Sequence, residues 1–179
     1  QEIQAAAGSD LLQQIRGIGV GAPSANYYRG TIEHAPNIEW RGIIPIGDLI
    51  ADAFGLPVKV TNDANAAAMG EMMYGAARGM NDFIMVTLGT GVGSGFVANG
   101  QLIYGHDGFA GELGHVIAVR DGRPCGCGRN GCLEAYTSAT GIVKTASEFL
   151  EQHTGPSLLR ALSKLSARDV FDAAAAGDA

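Results

Sequence analysis

Three cysteines and a histidine packed into one short stretch constrain this chain more than any other feature. The segment ELGHVIAVRDGRPCGCGRNGCLE, Glu112 to Glu134, holds all three cysteines of the chain, Cys125, Cys127 and Cys132, with His115 just upstream. Three thiolates and one imidazole complete a tetrahedral zinc set and leave no position open for water. Such a site is structural: it closes a loop and does not attack a substrate. The competing reading is three unligated thiols, since a lone cysteine is usually a small buried hydrophobe. C-G-C-G-x-x-G-C is poor core sequence, because glycine brings no side chain to pack. It suits a loop wrapped around an ion, where positive φ is needed. The pattern favours a metal knot over 115–132. Glu112 and Glu134 flank it, and the knot should carry both carboxylates to a common place and shape a polar pocket there. Gly126, Gly128 and Gly131 also spell the G-x-G-x-x-G of dinucleotide-binding turns. They follow no strand and open no helix, so that reading fails.

The remainder alternates strand and helix signals. Residues 1–14 read as helix. Arg16–Gly21 reads as a buried strand, Tyr27–Glu33 as a second, and His34–Trp40 as irregular around Pro36. Ile46–Phe54 is an amphipathic helix stopped by Gly55 with Pro57 beyond. Val58–Thr61 is a strand, and Asn62 or Asp63 caps an alanine-rich helix running to Tyr74 or Gly75. Strand, helix, strand, helix in this order is an α/β signature. Phe83–Leu88 is a buried strand, a glycine run turns the chain at Gly89–Gly95, and Gly95–Ala98 returns. Asn99-Gly100 is a hairpin signal leading into Gln101–Tyr104. Leu133–Leu150 reads as helix with a pause at Ser138–Gly141, and two further helical patterns cover Leu158–Leu165 and Ala167–Ala176.

Charge and composition exclude several function classes. The net charge is −6 and no basic run occurs, which argues against a nucleic-acid surface in this chain. No stretch approaches 18 unbroken apolar residues, so nothing spans a membrane. Three cysteines are an odd count and suggest no disulfide framework. A reducing compartment, the cytoplasm, fits best. The 27 glycines are about twice the usual share of ~7% and fall between apolar segments, as tight turns require. The chain opens with neither Met nor a basic-then-apolar leader, so it is expected to begin inside a larger protein.

Two further stretches carry chemistry. The run Gly89–Gly95, GTGVGSG, lacks the Lys-Ser/Thr of a P-loop. A glycine hairpin can still turn successive backbone N–H groups toward an anion, and Thr90 adds a hydroxyl. A plain tight hairpin explains the spacing equally well. Asp63 ends a strand, where ligands of open α/β sheets bind, and its carboxylate could accept a proton from a hydroxyl. Read alone, it is better explained as a helix cap.

Taken together, four stretches resemble the ROK family of repressors, open reading frames and kinases: GIGVGAP (17–23), TNDANAAAMGE (61–71), TLGTGVGSGFVANGQL (87–102) and AGELGHV…CGCGRNGCLE (110–134). The resemblance runs from about Ile15 to Thr140. It implies an actin-like, ribonuclease-H-like fold of two α/β domains, with residues 1–62 ending the first and 63–179 opening the second. It implies ATP- and Mg2+-dependent phosphorylation of a hexose, glucokinase-like, with a homodimer as the usual assembly. By motif position, Asp63 would be the catalytic base. Asn62, Glu112, His115 and Glu134 would bind the sugar together with Asp63, and Gly89, Thr90 and Gly91 would form a phosphate hairpin. His115 would serve twice, one ring nitrogen on zinc and the other on the sugar. The family also contains sugar-responsive transcriptional repressors, the alternative reading. The family's first phosphate loop and its adenosine segment have no counterpart here, so this stretch alone is expected not to turn over ATP. Ser24 stands where the family usually carries Gly or Asn.

Overall fold

The computed structural model describes residues 14–35 and 38–178. The helix expected over residues 1–14 lies almost wholly outside them. The chain divides into two compact units, residues 1–83 with 96–110, and residues 84–95 with 111–179.

The first unit is built on a parallel pair, β1 (Ile18–Gly21) and β5 (Val58–Thr61), with Val20 opposite Val60. Between them in sequence lie β2 (Ala25–Asn26), β3 (Thr31–Glu33) and β4 (Ile43–Ile44), an antiparallel meander, and then helix α1 (Ile46–Phe54). Ala22, Ala25, Ile32, Ala35 and Val60 form the core, flanked by Val20, Ile38, Ile46 and Val58. Gly55 ends α1 in the left-handed conformation, φ 65°, its N–H on the Ala51 carbonyl, as glycine C-caps do. Helix α2 (Asp63–Tyr74) follows β5 at once. Its small residues let it lie close on β1: a Cβ on Gly21 would sit 3.0 Å from the Ala66 methyl. Packed this way, α2 falls in the first unit.

One expected strand is divided. Tyr27–Gly30 is a turn, not strand, because the fully buried Asn26 folds the backbone back. Its Oδ1 accepts from the Tyr28 and Arg29 N–H groups and its amide donates to the Asp107 carbonyl. Ser24 has φ 52°, in the left-handed region that favours Gly or Asn. At the far end of this unit β7 (Val92–Ala98) pairs antiparallel with β8 (Gln101–Leu102), Val97 opposite Leu102. The link is Asn99-Gly100 with φ 51° and 71°, the two positive values a type I′ hairpin needs.

The second unit holds β6 (Phe83–Leu88) from Ile84 on and the first half of β7, which starts at Val92, earlier than expected. Helices α3 (Glu134–Thr137) and α4 (Ala139–Gln152) are separated by Ser138, whose hydroxyl accepts the Gly141 N–H and caps α4. The pattern at 158–165 yields one turn of 3-10 helix, Leu158–Ala161. Helix α5 (Ala167–Ala175) begins with a reciprocal Ser166–Asp169 capping box. Apolar burial is thin. Val92, Cys132, Leu159 and Ala173 are the buried apolar side chains described here, while Ile84, Val86 and Leu88 of β6 are exposed.

Candidate metal centre and ligand-facing carboxylates

Cys125, Cys127, Cys132 and His115 converge, with one donor atom from each lying within 4.8 Å of all the others. The Cys127 and Cys132 sulfurs are 3.6 Å apart, and the Cys125 sulfur is 3.6 Å from His115 Nδ1. A tetrahedral zinc with bonds of about 2.3 Å to sulfur and 2.0–2.1 Å to nitrogen sets edges of about 3.8 Å and 3.5 Å. The donor set fits a closed structural zinc site. The loop that presents it is a small hairpin: Cys125 N–H donates to Arg129 O, Gly128 N–H to Cys125 O, and Gly131 N–H to Arg123 O. Gly128 and Gly131 hold φ 86° and 81°. A side chain on Gly131 would also run into the Val119 carbonyl, so glycine is required at 128 by backbone conformation and at 131 by conformation and space, while Gly126 has open space around it. Without metal the thiols differ. Backbone and side-chain hydrogen bonds from Arg129 pull Cys127 below the usual thiol range, while burial pushes Cys125 above it. Zinc would hold all three as thiolates.

Both flanking carboxylates meet the cluster. Glu112 Oε2 lies 3.8 Å from His115 Nε2, the ring nitrogen turned away from the sulfurs. Ring orientation set from both sides is the usual arrangement of a metal-bound histidine. Glu112 itself is placed by Ser94, whose hydroxyl donates to the Gly111 carbonyl and accepts the Leu113 N–H. Glu134 Oε1 is 3.6 Å from the Cys125 sulfur, and its Oε2 accepts the Val92 N–H at 3.0 Å. That bond brings it against the glycine hairpin, where a Cβ on Gly91 would collide with the carboxylate. The hairpin is tied at its other side by the Ala139 N–H on the Gly89 carbonyl, 2.9 Å. Thr90, Glu134, Ser138, Thr140 and Lys144 border a cavity of about 220 Å3 within this unit.

Two residues outside the sequence reading hold this arrangement together. Ser94 is one. Arg123 is the other: its guanidinium donates to the Ala135 and Gly141 carbonyls and to Thr145 and pairs with Glu148, while its backbone N–H meets the Tyr136 hydroxyl. It also lies 4.6 Å from the Tyr136 ring centroid. The only sequence signal was an arginine inside the knot with no metal-ligand role. Arg123→Met should take the guanidinium from the Ala135 carbonyl and from Glu148, while the Gly141 carbonyl keeps the Thr145 hydroxyl, and cost about 1–3 kcal/mol, read as a lower denaturation midpoint. Arg123→Lys should recover only part of the loss, because an ammonium cannot supply the planar fork. A midpoint unchanged in Arg123→Met contradicts this role.

In the first unit, the Asn62 side chain accepts the Ala64 N–H at 2.9 Å and is the helix cap; Asp63 Oδ1 accepts the same N–H at 2.9 Å. Capping is thus already served by Asn62. Asp63 is exposed at the first position of α2.

Known proteins match the chain over nearly all its length. A sequence profile of the ROK family covers residues 5–179. A glucokinase of Halalkalibacterium halodurans is 47% identical over 176 residues, 96% of this chain and 52% of the glucokinase. Among solved structures, a ROK family glucokinase from Streptomyces griseus in complex with glucose and AMPPNP is 38% identical, TM-score 0.75, over 92% of this chain and 55% of that one. A ROK family transcriptional regulator, a homolog of the E. coli MLC protein, is 30% identical, TM-score 0.83, over 99% of this chain and 45% of that one. The chain thus spans about half the length of the relatives it matches. Motifs, profile and fold agree: the chain belongs to the ROK family and carries part of its α/β, actin-like ATPase fold.

Proposed function

We propose that the protein to which this chain belongs phosphorylates a hexose hydroxyl with ATP, as a glucokinase-type enzyme. The observation that carries this reading is the Gly89–Gly91 hairpin, whose backbone is fixed by Glu134 and by the start of α4. Phosphoryl transfer depends on positioning phosphates and charge, and a glycine hairpin held from both sides can keep backbone N–H groups turned toward an anion. In this reading Asp63 takes the proton of the attacking sugar hydroxyl, and Asn62, Glu112, His115 and Glu134 hold the neighbouring hydroxyls. Gly89, Thr90 and Gly91 hold phosphate oxygens. Zinc bound by His115, Cys125, Cys127 and Cys132 supplies fixed ring orientation and loop shape. Mg2+ belongs with the ATP phosphates. A cytoplasmic homodimer completes the proposal; among the described residues no helix is long and apolar enough to cross a membrane.

A sugar-responsive repressor is the second reading, favoured by the likeness to a transcriptional regulator. The test is a coupled assay of the whole protein with ATP and a panel of hexoses. Turnover on the order of 1–100 per second with at least one hexose is expected. No turnover, together with hexose-dependent release from operator DNA, would replace the kinase reading by the repressor.

A further inference from the structure

Glu134 does more in this structure than face a ligand. One carboxylate oxygen, Oε2, is committed to the Val92 N–H at the exit of the glycine hairpin. The backbone carrying it is held by the knot. Cys132, a fully buried metal ligand, lies two residues before it, its carbonyl accepting the Ala135 N–H at 3.0 Å. The Leu133 N–H donates to the Val116 carbonyl at 2.9 Å, next to His115. The residues on either side of Glu134 are therefore pinned to the two ends of the metal loop.

We infer that Glu134 is a positioning residue that couples metal occupancy of the knot to the order of the phosphate hairpin. The inference rests on the reading of that hairpin as a phosphate site. With the metal bound, Cys132 and His115 are fixed, the root of Glu134 is fixed with them, and Oε2 holds Val92 and the turn before it. With the metal removed, the root loosens and the hairpin loses one of its two outside supports. The other, Ala139 on Gly89, remains. The geometry also divides the carboxylate's work: Oε2 serves the hairpin, and Oε1, on the Cys125 side, is the oxygen left for a sugar hydroxyl.

The experiment is amide hydrogen exchange on this chain, zinc-loaded and after chelation, in wild type, Glu134→Ala, Glu134→Gln and Gly91→Ala. Val92 is the reporter. Ile142 and His153, whose N–H groups bond to Ser138 and Phe149 in α4, are the controls. In the zinc-loaded protein Glu134→Ala should speed Val92 exchange by about tenfold, the loss of one charge-assisted bond, with the controls unmoved. Gly91→Ala should do the same by displacing the carboxylate. Glu134→Gln should recover much of the protection, since its carbonyl can still accept from Val92. Chelation should speed Val92 in wild type and add little in Glu134→Ala. The coupling is overturned if Val92 exchanges equally in wild type and in all three variants. It is overturned too if chelation acts as strongly on Glu134→Ala as on wild type, or if α4 loses protection to the same degree as Val92. Neither sugar nor nucleotide enters the measurement, so its failure and the failure of the kinase reading are separate outcomes.

Discussion

Removing the metal from the knot is expected to lower the melting midpoint of this chain by roughly 6–20 °C and to expose its thiols. The estimate comes from the scale of structural zinc binding, about 10–16 kcal/mol in zinc-finger peptides. Even a third of that, at about 2–4 °C per kcal/mol for a chain of this size, reaches the stated range. The second unit has reason to depend on it: Cys132 is fully buried, and backbone hydrogen bonds join residues 116–135 around the cluster. Elemental analysis should find about one zinc per chain. Cys132→Ser should be the most damaging single ligand change, because Cys132 is fully buried while Cys127 is exposed. Zinc ligands must shed their protons, so affinity should fall as pH falls. A purified chain without metal, whose melting midpoint ignores chelator, would refute the zinc assignment.

How much of this was readable beforehand follows from the range of the interactions involved. Local chemistry was legible. Gly55 and Pro57 stop α1, Asn62 caps α2, and Asn99-Gly100 makes a hairpin, because each acts on backbone within a few residues. The convergence of His115 with the three cysteines was legible for the same reason: most of them lie close together, and glycine spacing betrays the loop. Long-range bonds were not. Asn26 breaks the expected strand at 27–30 through a side chain that also reaches Asp107, 81 residues on. Glu134 holds Val92 across 42 residues, and nothing in either local pattern announces the partner. Arg123 carried no sign of its role, because that role lies in the Ala135 and Gly141 carbonyls presented by the folded turn between α3 and α4. The position of α2 in the first unit depends on Gly21 and Ala66 meeting, a packing fact that periodicity does not encode.

Asp63→Asn, made in the whole protein, is expected to lower kcat by ~10²–10⁴, or roughly 3–5 kcal/mol of barrier. Asparagine keeps the shape and still accepts a hydrogen bond but cannot take a proton. Sugar affinity by calorimetry should change less than about tenfold, so the loss should fall on turnover. The competing account makes Asp63 a helix cap. It predicts survival of activity, because Asn caps as well as Asp, and here the Asn62 side chain already accepts the Ala64 N–H. Asp63→Asn should accordingly leave the unfolding free energy within about 1 kcal/mol of wild type, which separates chemistry from folding. A variant keeping more than about a tenth of wild-type kcat refutes the base assignment. Glu112→Gln supplies the contrast: if Glu112, 3.8 Å from His115, only grips a sugar hydroxyl, its loss should weaken sugar affinity at least as much as turnover. Equal, purely catalytic losses in both variants would mean that the proton acceptor has been placed on the wrong carboxylate.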